Sequence, residues 1–237
     1  MSGGTITATA NSASADFGGY GIYNGESQYV NITGGTVTGT NTGAGDAFGV
    51  QAVNAGAKIT ISGGTVTGNQ TGTSSTTKGV GADAMQGNVT ITGGTVTGKA
   101  TGKAYGAYGE YMGSQIDVSG GIVNGDIGAK AGGSTKASIS GGYINGSILD
   151  KDMDTCTLSG GYYTKKPPED KIVDGLSAVP CHVMLEGVTY KYRIGDPEPE
   201  PVPVTGDSSP VRLFAALACL SLVGLALTRR ARTQKGR

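Results

Sequence analysis

The sequence predicts an all-β protein, a parallel β-solenoid of about six three-strand coils, followed by a C-terminal transmembrane helix. Three observations predict the solenoid. An octet built on Gly-Gly recurs seven times between residues 2 and 165, apolar residues alternate with period two ahead of most glycine pairs, and an apolar-Gly-apolar triplet recurs upstream of most of them. A short repeat of this kind marks a stacked supersecondary unit.

The octet reads SGGTITAT (2–9), ITGGTVTG (32–39), ISGGTVTG (61–68), ITGGTVTG (91–98), VSGGIVNG (118–125), ISGGYING (139–146) and LSGGYYTK (158–165). Its first glycines stand at 3, 34, 63, 93, 120, 141 and 160, so the period falls from about thirty residues to about twenty. The first strand of each unit carries an alternating pair: Val30/Ile32, Ile59/Ile61, Val89/Ile91, Ile116/Val118, Ala137/Ile139 and Cys156/Leu158. Period two means one buried face. The glycine pair turns a corner where a Cβ would clash. A second short strand follows with one inward residue, Val37, Val66, Val96, Val123, Ile144 or Tyr163. The third strand carries the triplet: Tyr20-Gly21-Ile22, Phe48-Gly49-Val50, Val80-Gly81-Ala82, Tyr105-Gly106-Ala107 and Ile127-Gly128-Ala129. Turns such as NGES (24–27) and NAGA (54–57) bring the chain back.

No such strand buries a face alone, so the units must stack, each covering the one below. Ile32, Ile61, Ile91, Val118, Ile139 and Leu158 are expected in one internal column. Tandem β-sandwich modules need repeats of roughly 100 residues and are excluded. Residues 39–47 and 68–79 read as polar loops that later units shorten to Asn-Gly turns. Met1 is followed directly by half a coil, with no export signal or cap ahead of it, so the solenoid reads as N-terminally incomplete. Residues 166–195 break the pattern and are expected to cap it, through a turn in PPEDKIVDG (167–175) and a hairpin around Glu186-Gly187. Residues 196–205 form an acidic proline-rich spacer.

The zero net charge conceals an asymmetry. Residues 1–205 hold 12 basic against 17 acidic residues, while residues 229–237 hold five basic residues and no acid. A nucleic-acid partner is disfavoured, because phosphate binding needs a positive face. Three cysteines lie far apart and there is one histidine, so no metal cluster and no cofactor are expected. Cys156 takes an inward position and is expected to be a free thiol.

Residues 206–237 combine an apolar run, 211–228, with the basic tail. Eighteen helical residues span about 27 Å, close to the hydrocarbon thickness of a bilayer, and the tail places the C-terminus in the cytosol. Just before lies Val202-Pro203-Val204-Thr205-Gly206, with Asp207 after it. This order closely resembles the sorting signal of sortase-anchored, LPxTG-type surface proteins of Gram-positive bacteria, with Val202 in place of the usual leucine. The resemblance covers about 35 residues. It implies that a sortase cleaves between Thr205 and Gly206 and joins Thr205 to peptidoglycan, after the span has held the precursor at the membrane. More loosely, the repeats resemble right-handed, pectate-lyase-like β-helix modules, which implies a right-handed coil.

Polysaccharide-degrading β-helices need clustered carboxylates on neighbouring coils. Counted from their glycine pairs, Asp46, Asp83, Glu110, Asp117 and Asp126 fall at different offsets, so no shared site is expected, and the coils contain no arginine. Asp150-Lys151-Asp152 opens like a calcium loop but lacks its later ligands and reads as an acidic turn. The candidate ligand face is outward: Thr36/Thr38, Thr65/Thr67 and Thr95/Thr97 in columns, with Tyr23 and Tyr108 two residues after their strand glycines. The sequence therefore reads as a noncatalytic, cell-wall-anchored adhesin or display scaffold with a glycan or host-protein ligand. The alternative is a wall-anchored carbohydrate-active β-helix enzyme.

Overall fold

The computed structural model describes residues 1–12, 14 and 18–196. The motif 202–206, the apolar run 211–228 and the basic tail lie outside the described residues. Among the described residues no helix is long and apolar enough to cross a membrane.

The chain is an all-β parallel solenoid of about four turns. It opens with β1 (Thr5–Ala10), β2 (Gly19–Asn24), β3 (Tyr29–Asn41), β4 (Ala47–Ala52), β5 (Lys58–Gln70), β6 (Lys78–Ala84), β7 (Asn88–Lys99) and β8 (Lys103–Gly109). Shorter strands follow: β9 (Gln115–Val118), β10 (Ile122–Asn124), β11 (Asp126–Ala129), β12 (Thr135–Ile139), β13 (Tyr143–Asn145), β14 (Ile148–Leu149), β15 (Met153–Leu158) and β16 (Tyr162–Tyr163). The last two are β17 (Ser177–Leu185) and β18 (Val188–Gly195). A first sheet stacks β1-β3-β5-β7 and continues through the shorter strands, while a second stacks β2-β4-β6-β8-β11-β14. Every pairing between coils is parallel.

Two expectations need correction. The coil count of about six treated the thinned units beyond Val118, where β10, β13 and β16 shrink to three, three and two residues, as full turns. The first and second strands of a unit are also not separate in the early coils. In β3, β5 and β7 the chain runs unbroken through the glycine corner, where the register shifts, and it divides only later into pairs such as β9 and β10. The polar loops are correspondingly shorter, because β3 and β5 extend to Asn41 and Gln70.

The two glycines of each corner serve different needs. A Cβ on the first, as at Gly63, Gly93 or Gly120, would collide with a backbone carbonyl of the coil below. The second, as at Gly64 or Gly94, holds φ near +75°, a region that strains any L side chain. The motif thus encodes both the stacking distance and the turn.

The core follows the sequence columns. Ile32, Ile61, Ile91, Val118, Ile139 and Leu158 are in register and fully or almost fully buried. Val37, Val66, Val96, Val123, Ile144 and Tyr163 form a second buried column. The end is closed as expected. β17 and β18 form an antiparallel hairpin, and β18 pairs antiparallel with β16, which covers the last parallel edge. Residues 169–171 form a single 3-10 turn after Pro168. Cys156 is buried and Cys181 partly so, both as free thiols, and burial pushes the Cys156 thiol up to about 11.

Candidate functional site: a groove on the second sheet

The second sheet has an outer face unlike that of the first. In β4, β6 and β8 the central Gly49, Gly81 and Gly106 drop out of the pairing ladder. The residue after each glycine, Val50, Ala82 or Ala107, joins the solenoid core. The residue before it, Phe48, Val80 or Tyr105, packs in a separate cluster with Tyr108, Tyr20 and Leu149. The triplet is therefore a reversal of side-chain direction and not a pair of inward residues. In β11 a bulge slips the register, so that Ile127 aligns with Ala107 and Gly128 with Tyr108. Ile127-Gly128-Ala129 is thus not the counterpart of Tyr105-Gly106-Ala107.

A second outer column runs Tyr23, Gln51, Asp83, Tyr108 in direct register. Although these side chains point away from the core, Gln51, Asp83 and Tyr108 are buried. Gln51 reaches a cleft of about 400 Å³, lined also by Tyr20, Tyr23, Asp46, Phe48, Lys78 and Glu110. Tyr20 stacks on Phe48 with centroids 5.1 Å apart, and Tyr23 meets Tyr20 edge-on at 5.3 Å. Tyr23 is 57% exposed, so its ring is open to a ligand.

Charged groups close the other side. The Lys78 ammonium lies 2.6 Å from Glu110 Oε1 and 3.2 Å from Asp46 Oδ2, and 4.6 Å from the centre of the Tyr108 ring. Asp46 also accepts the backbone N–H of Lys78 at 2.7 Å. Burial by itself lowers Lys78, but Glu110 and Asp46 more than reverse it and hold the ammonium above its usual range. Asp83 is completely buried. Its Oδ2 accepts from Gln51 Nε2 at 2.7 Å, and its Oδ1 has no hydrogen-bond partner. Burial, reinforced by the Glu110 charge, raises the Asp83 carboxyl well above the usual carboxylate range, against the opposing pull of Gln51 and Lys78.

Asp46, Asp83 and Glu110 are therefore brought together around Lys78, against the expectation that these acids stay apart. The offsets misled because they were counted from the glycine pair, which lies a variable turn away from the second sheet. Counted from Gly49 and Gly81, Asp46 and Lys78 both stand at minus three, and Tyr23, Gln51, Asp83 and Tyr108 all stand at plus two of their own triplet glycine. That alignment is the signal that finds Asp46, Lys78 and Asp83, though not Glu110, which stands at plus four of Gly106. Asp117 and Asp126 remain outside it: Asp117 accepts from Gln115 on the first sheet, and Asp126 accepts the Ser147 N–H at 2.7 Å. Among the described residues no group of three His, Cys, Asp or Glu side chains is placed to hold a metal ion. Asp150–Asp152 forms an acidic 3-10 turn.

The threonines form the expected columns, Thr36-Thr65-Thr95 and Thr38-Thr67-Thr97, continued by Ile122 and Asn124. They lie on the first sheet, however, and the tyrosines on the second, so the proposed ligand face divides into two. Tyr108 is covered, with Tyr105 4.5 Å away between ring centres, and burial raises its hydroxyl pKa. Val202, Pro203, Val204, Thr205 and Gly206 fall outside the described residues. Comparison with protein-family models, curated proteins and solved structures finds no match to this chain.

Proposed function

We propose that this chain is a noncatalytic, sugar-binding surface protein of a Gram-positive bacterium, held on the cell wall by a sortase. The observation that carries the binding reading is the cleft on the second sheet. It sets the stacked Tyr20–Phe48 pair and the open ring of Tyr23 beside Gln51, Asp46 and Glu110. Sugars present apolar ring faces and polar hydroxyl edges together, and a concave site with aromatic walls and a few fixed polar groups matches both. The threonine columns offer a flat face without such concavity.

The display reading rests on the sequence. The span 211–228 holds the exported precursor at the membrane, and sortase cleaves after Thr205 and links it to peptidoglycan. Residues 206–237 stay behind. The coil is right-handed, the hand that parallel strand crossovers favour.

One observation favours a polysaccharide hydrolase or lyase instead: two acids and a lysine meet in the cleft, and a third acid with a raised pKa is buried beside them. Against it, Asp46 and Glu110 are both ion-paired with Lys78, and Asp83 is sealed from solvent. No carboxyl group of the cleft stands open and unpaired to protonate a glycosidic oxygen. The test is a glycan array with the full chain, followed by incubation with each bound sugar. Binding without release of oligosaccharide is the expected result. Release that Asp83→Asn abolishes establishes the enzyme reading, and no bound sugar on the array overturns both.

A further inference from the structure

Farther along the same face the groove widens into a cleft of about 940 Å³. The widening has a local cause. The outer column that carries Asp83 and Tyr108 continues at Gly128, against which the Tyr105 ring packs so closely that an added Cβ would stand 2.9 Å from it, and beyond Tyr105 the turns at Gly125 and Gly146 carry no side chains into the cleft. Tyr105, Tyr108 and Leu149 line this cleft. Around them stand Lys103, Lys130, Lys151 and Lys165, against two acids, Asp126 and Asp152.

This local excess of cations contrasts with the rest of the chain ahead of the sorting motif, where acids predominate. The acids of the cleft are already engaged: Asp126 accepts the Ser147 N–H and Asp152 lies 3.9 Å from Lys151. Among the described residues Lys103, Lys130 and Lys165 make no ion pair. Two of them are nevertheless positioned. Lys130 donates to the Tyr111 hydroxyl at 3.0 Å and lies 4.2 Å from that ring centre, and Lys165 donates to Ser147 Oγ at 3.0 Å. Positive charge that is placed but not neutralised, over a concave apolar floor, concentrates its field on an anion.

We propose that the wide cleft seats an anionic sugar, a ring bearing a carboxylate or a sulfate, within the glycan bound along the groove. The inference rests on the sugar-binding reading and names its ligand class. Lysine ammoniums are point charges without the planar fork by which arginine selects carboxylate, so uronate and sulfate serve comparably. A nucleic acid is a poor occupant, because binding its phosphate backbone needs a longer positive face than these few lysines provide on a chain that is otherwise acidic ahead of the sorting motif.

The experiment is calorimetric titration of the full chain, in mild detergent, with three tetrasaccharides: galacturonate, chondroitin sulfate and neutral galactose. Three exposed charges, each worth a few-fold, give both acidic sugars roughly a tenfold advantage over the neutral one at low salt, and high salt removes it. The double variant K103Q/K165Q, which leaves in place the Lys130 shared with the narrower cleft, should lose most of that advantage and keep the parent's melting temperature and neutral-sugar affinity. Equal affinity for all three sugars, or an advantage that survives the double variant undiminished, overturns the anionic assignment and leaves the sugar-binding reading intact. Failure of all three to bind, with a glycan array also blank, overturns the reading on which it rests.

Discussion

Lys78→Met should destabilise the solenoid by about 3 kcal/mol at neutral pH, the lower end of what losing one partner of a buried ion pair costs. The lower end applies because the three side chains are not sealed: Lys78, Asp46 and Glu110 keep 18%, 15% and 11% of their surface. Methionine preserves the packing on Tyr108, so the lost ammonium dominates. For a folded unit of this size, that loss lowers the melting temperature by roughly 6–12 °C. The pH dependence gives a second readout. Lys78 sits above its usual range when folded, so its contribution is complete below the unfolded lysine value of about 10.4 and is lost only as pH rises through the folded value. Asp83 is also raised, so it burdens the fold increasingly as pH climbs from about 3.9 towards its folded value. Without the cation that burden deepens, and the variant's deficit should shrink towards pH 4, where Asp83 holds its proton in both proteins. The assay is thermal melting followed by circular dichroism from pH 4 to 9. A variant that melts within about 2 °C of its parent at pH 7, with a parallel pH profile, would refute the cluster as a covered, coupled unit.

Two further predictions follow from the stacking and from the sorting motif. Gly63→Ala sets a Cβ against the Thr33 carbonyl, whereas the equivalent Gly3 has open space, so the first should lose about 1–3 kcal/mol in denaturant unfolding and the second almost nothing. Equal losses would mean that the first glycine is not needed for coil spacing. Thr205→Ala should leave the melting temperature unchanged but move the protein from the wall to the membrane or medium when expressed in a sortase-bearing host. Recovery of peptides spanning Thr205–Gly206 from wall-bound protein would place the linkage elsewhere.

The first sheet was legible because its residues lie within a few positions of the glycine pair, and the pair is fixed in space by contact with the coil below. Ile61 and Val66 stand two before and three after Gly63, so no turn of variable length intervenes. The second sheet lies across such turns, and its strands hide a reversal of direction that a period-two reading cannot see. Val80 looks like a core residue and is fully buried, but on the outer side, beside Tyr105 and Tyr108. The charge cluster was missed for the same reason. Lys78 reaches Glu110 through space, 32 positions on, and nothing in the glycine-pair repeat brings those positions together. Burial of Asp83 was likewise illegible, since an aspartate on an outward position ordinarily means solvent. The hairpin cap, by contrast, followed from its turn, where Glu186 and Gly187 both take positive φ.

Ligand is proposed to bind the second sheet and not the threonine columns of the first. Hydrogen exchange of the full chain, with and without a sugar selected on the array, tests it most directly. Added protection is expected in and beside β4, β6 and β8, over residues 46–51, 78–83 and 105–110, with exchange at 36–38, 65–67 and 95–97 unchanged. Protection confined to the threonine segments would contradict it and move the binding site to the opposite sheet.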